Sequence, residues 1–283
     1  MPELTDFVLG HEPAIRLGFF VGVFALMAGW EALEPRRARA VARWRRWPNN
    51  LGITALNTLA VRFMFPTAAV GFAITAEARG WGLLNTLSLP EWLKILIAIA
   101  LLDLAIYLQH VTFHAVPVLW RLHRMHHADL DTDLTTGARF HPLEIVLSMV
   151  VKIAAVVALG APAVAVVVFE VLLNATSTFN HGNVRLPENL DRILRWFMVT
   201  PDMHRVHHSI LPNETNSNFG FQVPWWDRLF GTYRAQPSAG HEGMTIGLEI
   251  LRDPVQLRID RMLIQPFIGP AGAHPISWRN RGP

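Results

Sequence analysis

The sequence predicts an all-α integral membrane protein: a helical bundle with a broken helical hairpin and a cytoplasmic, histidine-rich metal-binding cap. Three observations carry that expectation. Hydrophobic residues make up 51% of the chain and charged residues 17%, with a positive mean hydropathy of +0.27. A soluble domain carries about 25% charged residues, so lipid is the main solvent here. The apolar residues gather into runs of membrane-crossing length, and eight of the 13 histidines lie in three short motifs close to the ends of such runs.

Residues 1–13 read as a short polar lead. Residues 14–33 are apolar except for Arg16 and Glu31, long enough at about 1.5 Å per residue to cross about 30 Å of hydrocarbon. With no basic start and no cleavage site, this run is expected to be an uncleaved membrane helix. Arg36, Arg37, Arg39, Arg43, Arg45 and Arg46 follow, interleaved with Trp44 and Trp47. That composition suits an interfacial segment on the cytoplasmic side and puts the N-terminus outside. A second span over 51–76 is interrupted by Arg62 and Pro66, where a kink is expected. A loop over 77–92 holds Gly80, Gly82 and Pro90, and a third span over 93–109 runs straight into His110.

The next apolar stretch, 145–173, poses a topological problem. A single crossing would carry the later histidines to the opposite face from the earlier ones. Gly160-Ala161-Pro162 breaks the run in its middle, so residues 142–159 and 163–180 are expected to fold as an antiparallel hairpin. Four passes, or three plus a re-entrant pair, result. Lys152 and Glu170 would then lie level and pair, since lone charges at that depth are costly. The hairpin returns at His181. A helix over 188–199 is expected next, then turn formers and aromatics over 213–233 that wrap the metal helices. An amphipathic segment over 245–268 lies on the membrane or over the site, and the last fifteen residues form a loose tail. With no repeat or linker, residues 1–283 read as one domain whose motif core is 93–235.

The motifs are HxxxH at His110 and His114, HxxHH at His123, His126 and His127, and HxxHH at His204, His207 and His208. Residues at i, i+3 and i+4 share a helix face, so each motif directs its imidazoles to one point. Imidazole is the common nitrogen ligand of transition metals. With His181 the set is nine, more than one ion needs, which points to two metals. Each ring also needs an acceptor for its second N–H, and Asp103, Asp129, Asp131, Asp133, Asn180 and Asp202 are near enough in sequence to serve. His141, in Arg139-Phe140-His141-Pro142-Leu143-Glu144, is either an orienting or helix-start residue or a further ligand. His11, His241 and His274 lack partners at ligand spacing and read as surface residues. No cysteine is present, which excludes disulfides, thiolate ligands and iron–sulfur clusters on this chain. The basic residues sit at the ends of apolar runs rather than on a nucleic-acid face.

This motif order, with FNHGNV around His181 and the closing run Asn218-Phe219-Gly220 to Trp226-Asp227-Arg228-Leu229-Phe230-Gly231-Thr232, resembles the fatty acid hydroxylase or sterol desaturase superfamily over roughly 93–235. The resemblance implies a membrane non-haem di-iron enzyme in which the nine histidines hold two Fe ions. It would use O2 to hydroxylate, oxidise or desaturate a C–H bond of a lipid such as a fatty acyl chain, sterol or hopanoid. Zinc readily occupies imidazole sites in purified samples. Some relatives carry a histidine where this chain has Ser177. No dinucleotide or haem motif is present, so electrons must come from an external donor, ferredoxin or cytochrome b5-like, which Arg121, Arg124, Arg205 and Arg228 would attract. Twenty-three arginines against two lysines, with abundant alanine and proline, suit a GC-rich bacterial genome; with the alternation of the spans, a bacterial inner-membrane protein whose metal site faces the cytoplasm is expected. The alternative is a membrane metal-binding or transport protein without oxygenase activity. Transporters place ionisable ligands at mid-membrane, whereas these motifs fall at span ends. A hydrolase normally mixes histidine with carboxylate ligands.

Overall fold

The computed structural model describes residues 2–273, 275 and 276; His274 lies outside them. Among these residues there is no β-strand, only isolated bridges joining Pro35 to Val184 and Ser209 to Ile246. The polar lead is itself a helix, α1 (Pro2–Gly10), followed by the first span, α2 (Glu12–Leu33). The arginine–tryptophan segment opens α3 (Arg43–Met64), which runs on into the second span. Pro66 has no N–H to continue the ladder, so the helix stops and restarts as α4 (Ala68–Ala78), the expected kink. Pro90 caps α5 (Glu91–Ala115), which carries the third span and both histidines of the first motif without interruption. Val116, extended before Pro117, makes the corner into α6 (Pro117–His127).

The hairpin forms at the expected boundaries, α7 (Pro142–Leu159) and α8 (Ala163–Asn180). Gly160 adopts the left-handed conformation at the end of α7, with φ 63°. A Cβ on Gly82 would lie 2.1 Å from Gly160 N, so glycine at both places lets the 80–82 loop touch the hairpin tip. Among the described residues five helices are long and apolar enough to span a membrane, one more than four passes, because both hairpin arms are of full length. Half of the most apolar stretch of α8 is buried, against 6% for α2. Thus α8 is the central post, packed on by α1, α2, α4, α5 and, beyond the hairpin, the Pro201–His207 helix. Ala69, Ala73, Ala98, Ala161, Ala163 and Ala165 are buried in that core, small residues that let apolar helices approach closely. Lys152 Nζ meets Glu170 Oε1 at 2.5 Å, as expected, and Arg16 Nη2 meets Glu170 Oε2 at 2.6 Å, a partner that sequence order does not suggest.

Beyond the hairpin the chain forms short pieces that cover one end of the bundle: α9 (Glu188–Leu194), α10 (Pro201–His207), α11 (Pro212–Thr215), α12 (Trp225–Leu229), α13 (Gly240–Gly243) and α14 (Ile259–Ile264). The helix expected over 188–199 ends at Leu194. The 245–268 segment is broken into turns around α14 rather than forming one amphipathic helix. It closes over α3 and α6, and the tail continues it: Trp120 Nε1 donates to Ala271 O, and Ile276 N donates to His114 O. The arginine-rich segment also differs from an exposed interfacial strip. Arg46 is fully buried, clamping Asp129 through two nitrogens at 2.7–2.8 Å and Asp133 at 2.5 Å. Glu31 is equally buried and accepts from Leu134 N, Asn183 N and Arg43. These ion pairs tie α2 and α3 to the loops that flank the histidines.

Candidate metal centre

Four helices deliver the nine histidines to one end of the bundle. His110 and His114 come from the last turns of α5, and His123, His126 and His127 from α6. His181 terminates α8, and His204 and His207 lie on α10, which stops one residue short of His208. All nine are buried. They divide into His110, His114, His123, His127 and His207 in one group, and His126, His181, His204 and His208 in the other. Within each group, one nitrogen per ring lies within 4.8 Å of all the others. The hairpin therefore does what the topology requires, returning His181 and α10 to the face where α6 already sits.

The second ring nitrogens show what the first ones face. His110 Nδ1 lies 2.8 Å from Phe219 O, His207 Nδ1 2.8 Å from Ser217 O, His181 Nδ1 2.7 Å from Ser177 O and His126 Nδ1 3.2 Å from Arg139 O. A carbonyl oxygen only accepts, so each of these Nδ1 atoms carries the proton and each Nε2 presents a lone pair. Yet His207 Nε2 stands 3.0 Å from His110 Nε2, and His181 Nε2 stands 3.2 Å from His126 Nε2. Two lone pairs at that distance repel unless a cation lies between them. Ligands about 2.1 Å from one ion would stand about 3.0 Å apart at right angles and about 3.4 Å apart in a tetrahedron, a range that holds the spacings found. Both nitrogens of His127 and of His208, and Nε2 of His114, are buried without a partner, although buried polar atoms are nearly always satisfied. The donor set fits metal ions.

Burial also keeps these rings neutral and ready to ligate. It pushes His123 down to about 3 and His181 to about 4, and holds His126, His127, His204, His207 and His208 well below the usual imidazole value, with neighbouring rings adding to the effect at those five. One carboxylate touches the nine: Glu144 Oε1 accepts from His123 Nδ1 at 2.6 Å. His114 Nδ1 bonds Asn216 Oδ1 at 3.1 Å.

The acceptors expected from sequence proximity lie elsewhere. Asp129 is committed to Arg46 and Thr136, Asp131 to the amides of Ala40 and Val41, and Asp133 to Arg46, Trp47 and Thr135. Asp202 pairs with Arg36 and Arg205, Asp103 accepts from Trp226 Nε1, and Asn180 Nδ2 donates to Phe221 O. His141 caps α7, its Nδ1 accepting from Leu143 N while Nε2 donates to Leu263 O. It belongs to neither histidine group. Ser177 Oγ donates to Gly137 O, and its carbonyl orients His181. His11 is exposed as expected, whereas His241 is buried beside Asp202. Glu144 was within the RFHPLE run, three residues past His141; its signal was the i+3 position on the same helix start.

A cavity of about 240 Å3 opens from this centre into the bundle. His110, His123 and Glu144 stand at one end and Lys152 and Glu170 line the other, with Ile106, Phe113, Phe140, Met149, Leu173 and Phe221 between. Two groups of buried histidines able to hold metal ions, at the end of a cavity in a bundle of membrane-length helices, define the class: a helical membrane protein with a histidine-rich candidate metal centre. Residues 95–232, just under half of the chain, match the fatty acid hydroxylase family model. It is 27% identical to an ornithine lipid hydroxylase of Rhizobium tropici over 55% of this chain and 47% of the relative. An alkylglycerol monooxygenase of Xenopus tropicalis is 25% identical over 78% of this chain and 49% of the relative. A cholesterol 25-hydroxylase of Rattus norvegicus is 26% identical over 50% and 47%. The chain thus aligns with about half the length of the curated relatives it matches. No solved structure matches it.

Proposed function

We propose that this protein is a membrane-bound non-haem di-iron oxygenase that uses O2 and external electrons to hydroxylate, oxidise or desaturate a C–H bond of a lipid. The observation that carries the reading is the meeting of nine buried imidazoles with an apolar cavity inside a membrane bundle. His110, His114, His123, His127 and His207 would hold one iron, and His126, His181, His204 and His208 the other. Bound there, the irons supply dioxygen activation and the oxidising power to break an unactivated C–H bond. The names of the relatives, an ornithine lipid hydroxylase, an alkylglycerol monooxygenase and a cholesterol 25-hydroxylase, support a membrane lipid as the substrate.

The chain's own residues do the rest. Carbonyls of residues 139, 177, 217 and 219 hold the Nδ1 protons and fix the direction of each Nε2 lone pair. Phe113, Phe140 and Phe221 wall the cavity beside the histidines and keep water from the reacting carbon. The cavity lies between α3, α5, α7 and α8, so a lipid tail reaches the centre from the bilayer.

Electrons would come from a ferredoxin or cytochrome b5-like donor docking on the polar cap. The four arginines expected to attract it are engaged elsewhere. Arg124 is buried against the carbonyls of Gln265, Ile268 and Pro270, and Arg121 bonds those of Pro266 and Gly269. Arg205 pairs with Asp202, and Arg228 stacks at 4.1 Å on both Trp196 and Tyr233. The arginines between 36 and 46 flank the histidine end of the bundle, which supports a cytoplasmic site in a bacterial inner membrane.

The test is anaerobic iron loading of the purified protein in lipid, followed by O2 and a reductant. Oxygen consumption with lipid products shifted by one oxygen or by two hydrogens is the expected result. Iron-loaded protein that consumes no oxygen would instead favour a metal-binding or transport role.

A further inference from the structure

Two short helices of the cap carry apolar side chains that the protein itself leaves uncovered. Ile193 on α9, Trp196 and Phe197 just after it, and Trp225, Leu229 and Phe230 on or just after α12 are each at least half exposed. They share one face: Trp225 Nε1 donates to Trp196 O at 2.7 Å, and Arg228 Nη2 donates to Arg195 O at 3.1 Å. With seven and five residues, neither helix can cross a bilayer. An exposed apolar patch of this kind marks an interaction surface. Aromatic residues with arginine suit either a protein partner or a lipid interface.

Depth decides between them. Trp226 Nε1 donates to Asp103 Oδ2 at 2.8 Å, and the amides of Gln222 and Val223 bond the same carboxylate. Asp103 precedes His110 by seven residues, about 10 Å further into the span along α5. Phe230 stacks at 5.5 Å on Tyr107, one turn on from Asp103, and Leu108 beside it is exposed on the same helix. The face is thus held alongside a membrane-spanning helix and continues its lipid-facing surface. Charge agrees with that placement. Asp191 is spent on Arg195 at 2.6 Å, and Asp227 is buried, accepting from the amides of Phe219 and Gly220. Arg192 and Arg228 are the charges of these two segments left at least partly exposed, and both are cations. Such side chains lay their stems along apolar groups and reach headgroup phosphates with their tips.

We propose that the face formed by residues 193–197 and 225–230 is embedded in the bilayer, in the headgroup and upper acyl layer of the leaflet on the histidine side. It is a non-spanning anchor that moors one flank of the cap to lipid, and a soluble partner must approach the cap elsewhere. This holds whatever reaction the metal centre runs.

The test uses the cysteine-free chain, zinc-loaded in phosphatidylcholine nanodiscs, with one nitroxide-labelled cysteine at a time. Phe197→Cys and Leu229→Cys replace side chains 65% and 69% exposed, so fold and zinc content should match the wild type. Molecular oxygen concentrates in lipid and a water-soluble nickel chelate does not, so oxygen should relax both labels more than the chelate does. The order should reverse at Asn213→Cys, exposed elsewhere on the cap. A second measurement needs no label. Brominated lipid should quench a smaller share of tryptophan emission in the Trp196→Phe, Trp225→Phe double variant than in the wild type. Labels at 197 and 229 that the chelate reaches as freely as at 213, or a quenched share that rises in the double variant, would overturn the anchor. Labels open to the chelate but covered when a ferredoxin is added would overturn it in favour of a protein partner.

Discussion

Replacing Glu144 should weaken one metal position and spare the other. Its Oε1 takes the Nδ1 proton of His123 at 2.6 Å, and both side chains are nearly fully buried. His123 belongs to the group of five; the group of four has no contact with this carboxylate. A hydrogen bond to a charged partner is worth about 1.5–3 kcal/mol, and loss of such a second partner of a ligating histidine costs about 10–100-fold in metal affinity. Glu144→Leu removes both charge and acceptor and should reach that range. Glu144→Gln keeps an oxygen able to accept from Nδ1 and should lose about tenfold or less. Zinc titration against a competing chelator, fitted to two sites, measures this directly. One site should fall in the order wild type, Gln, Leu while the second holds. Equal loss at both sites, or none at either, would refute the assignment of His123 and Glu144 to one ion.

Glu170→Gln should destabilise the bundle more than Lys152→Met. The glutamate serves two cations, whereas its loss of Lys152 leaves the Arg16 contact intact; breaking a buried pair costs about 3–5 kcal/mol, read as a drop in Tm in lipid nanodiscs. Arg46→Leu should fall in the same range by leaving Asp129 and Asp133 unpaired, with metal lost from the cap before the helices unfold. His241 is held down to about 4 chiefly by burial, with Arg205, Arg36 and Arg195 opposing the pull of Asp202. Its contribution to stability is complete above its unfolded value near 6.5 and is lost as pH falls toward 4. His241→Leu should therefore flatten the acid limb of Tm against pH between those values in metal-loaded protein.

Much of this molecule was legible in the chain because membrane solvent leaves few choices. The hairpin could be placed to the residue, since Gly160 and Pro162 are the only breakers in a long apolar run and one shared histidine face demanded a return. Lys152 and Glu170 could be paired from their equal distance to that break. What stayed hidden depends on contacts across great sequence separation. Arg16 reaches Glu170 from 154 positions away, and Arg46 disappears into the loop after α6, though its neighbours looked like an ordinary interfacial strip. The orienting partners of the rings were sought among nearby carboxylates. Four are instead main-chain oxygens, which have no residue-type signature, and the carboxylate that does serve lies on the far side of His141.

The two hairpin arms hold their tip and their histidines at opposite ends. Eighteen residues at about 1.5 Å each separate them by about 27 Å, so across a bilayer the loop at Ser88 beside the tip and the turn at Asn213 beside the centre should open to different compartments. The chain contains no cysteine, and both of these positions are exposed. A single thiol introduced at either one would be an unambiguous reporter. Impermeant maleimide applied to intact cells should mark one of the two and never both, turning the fold into its own sidedness gauge.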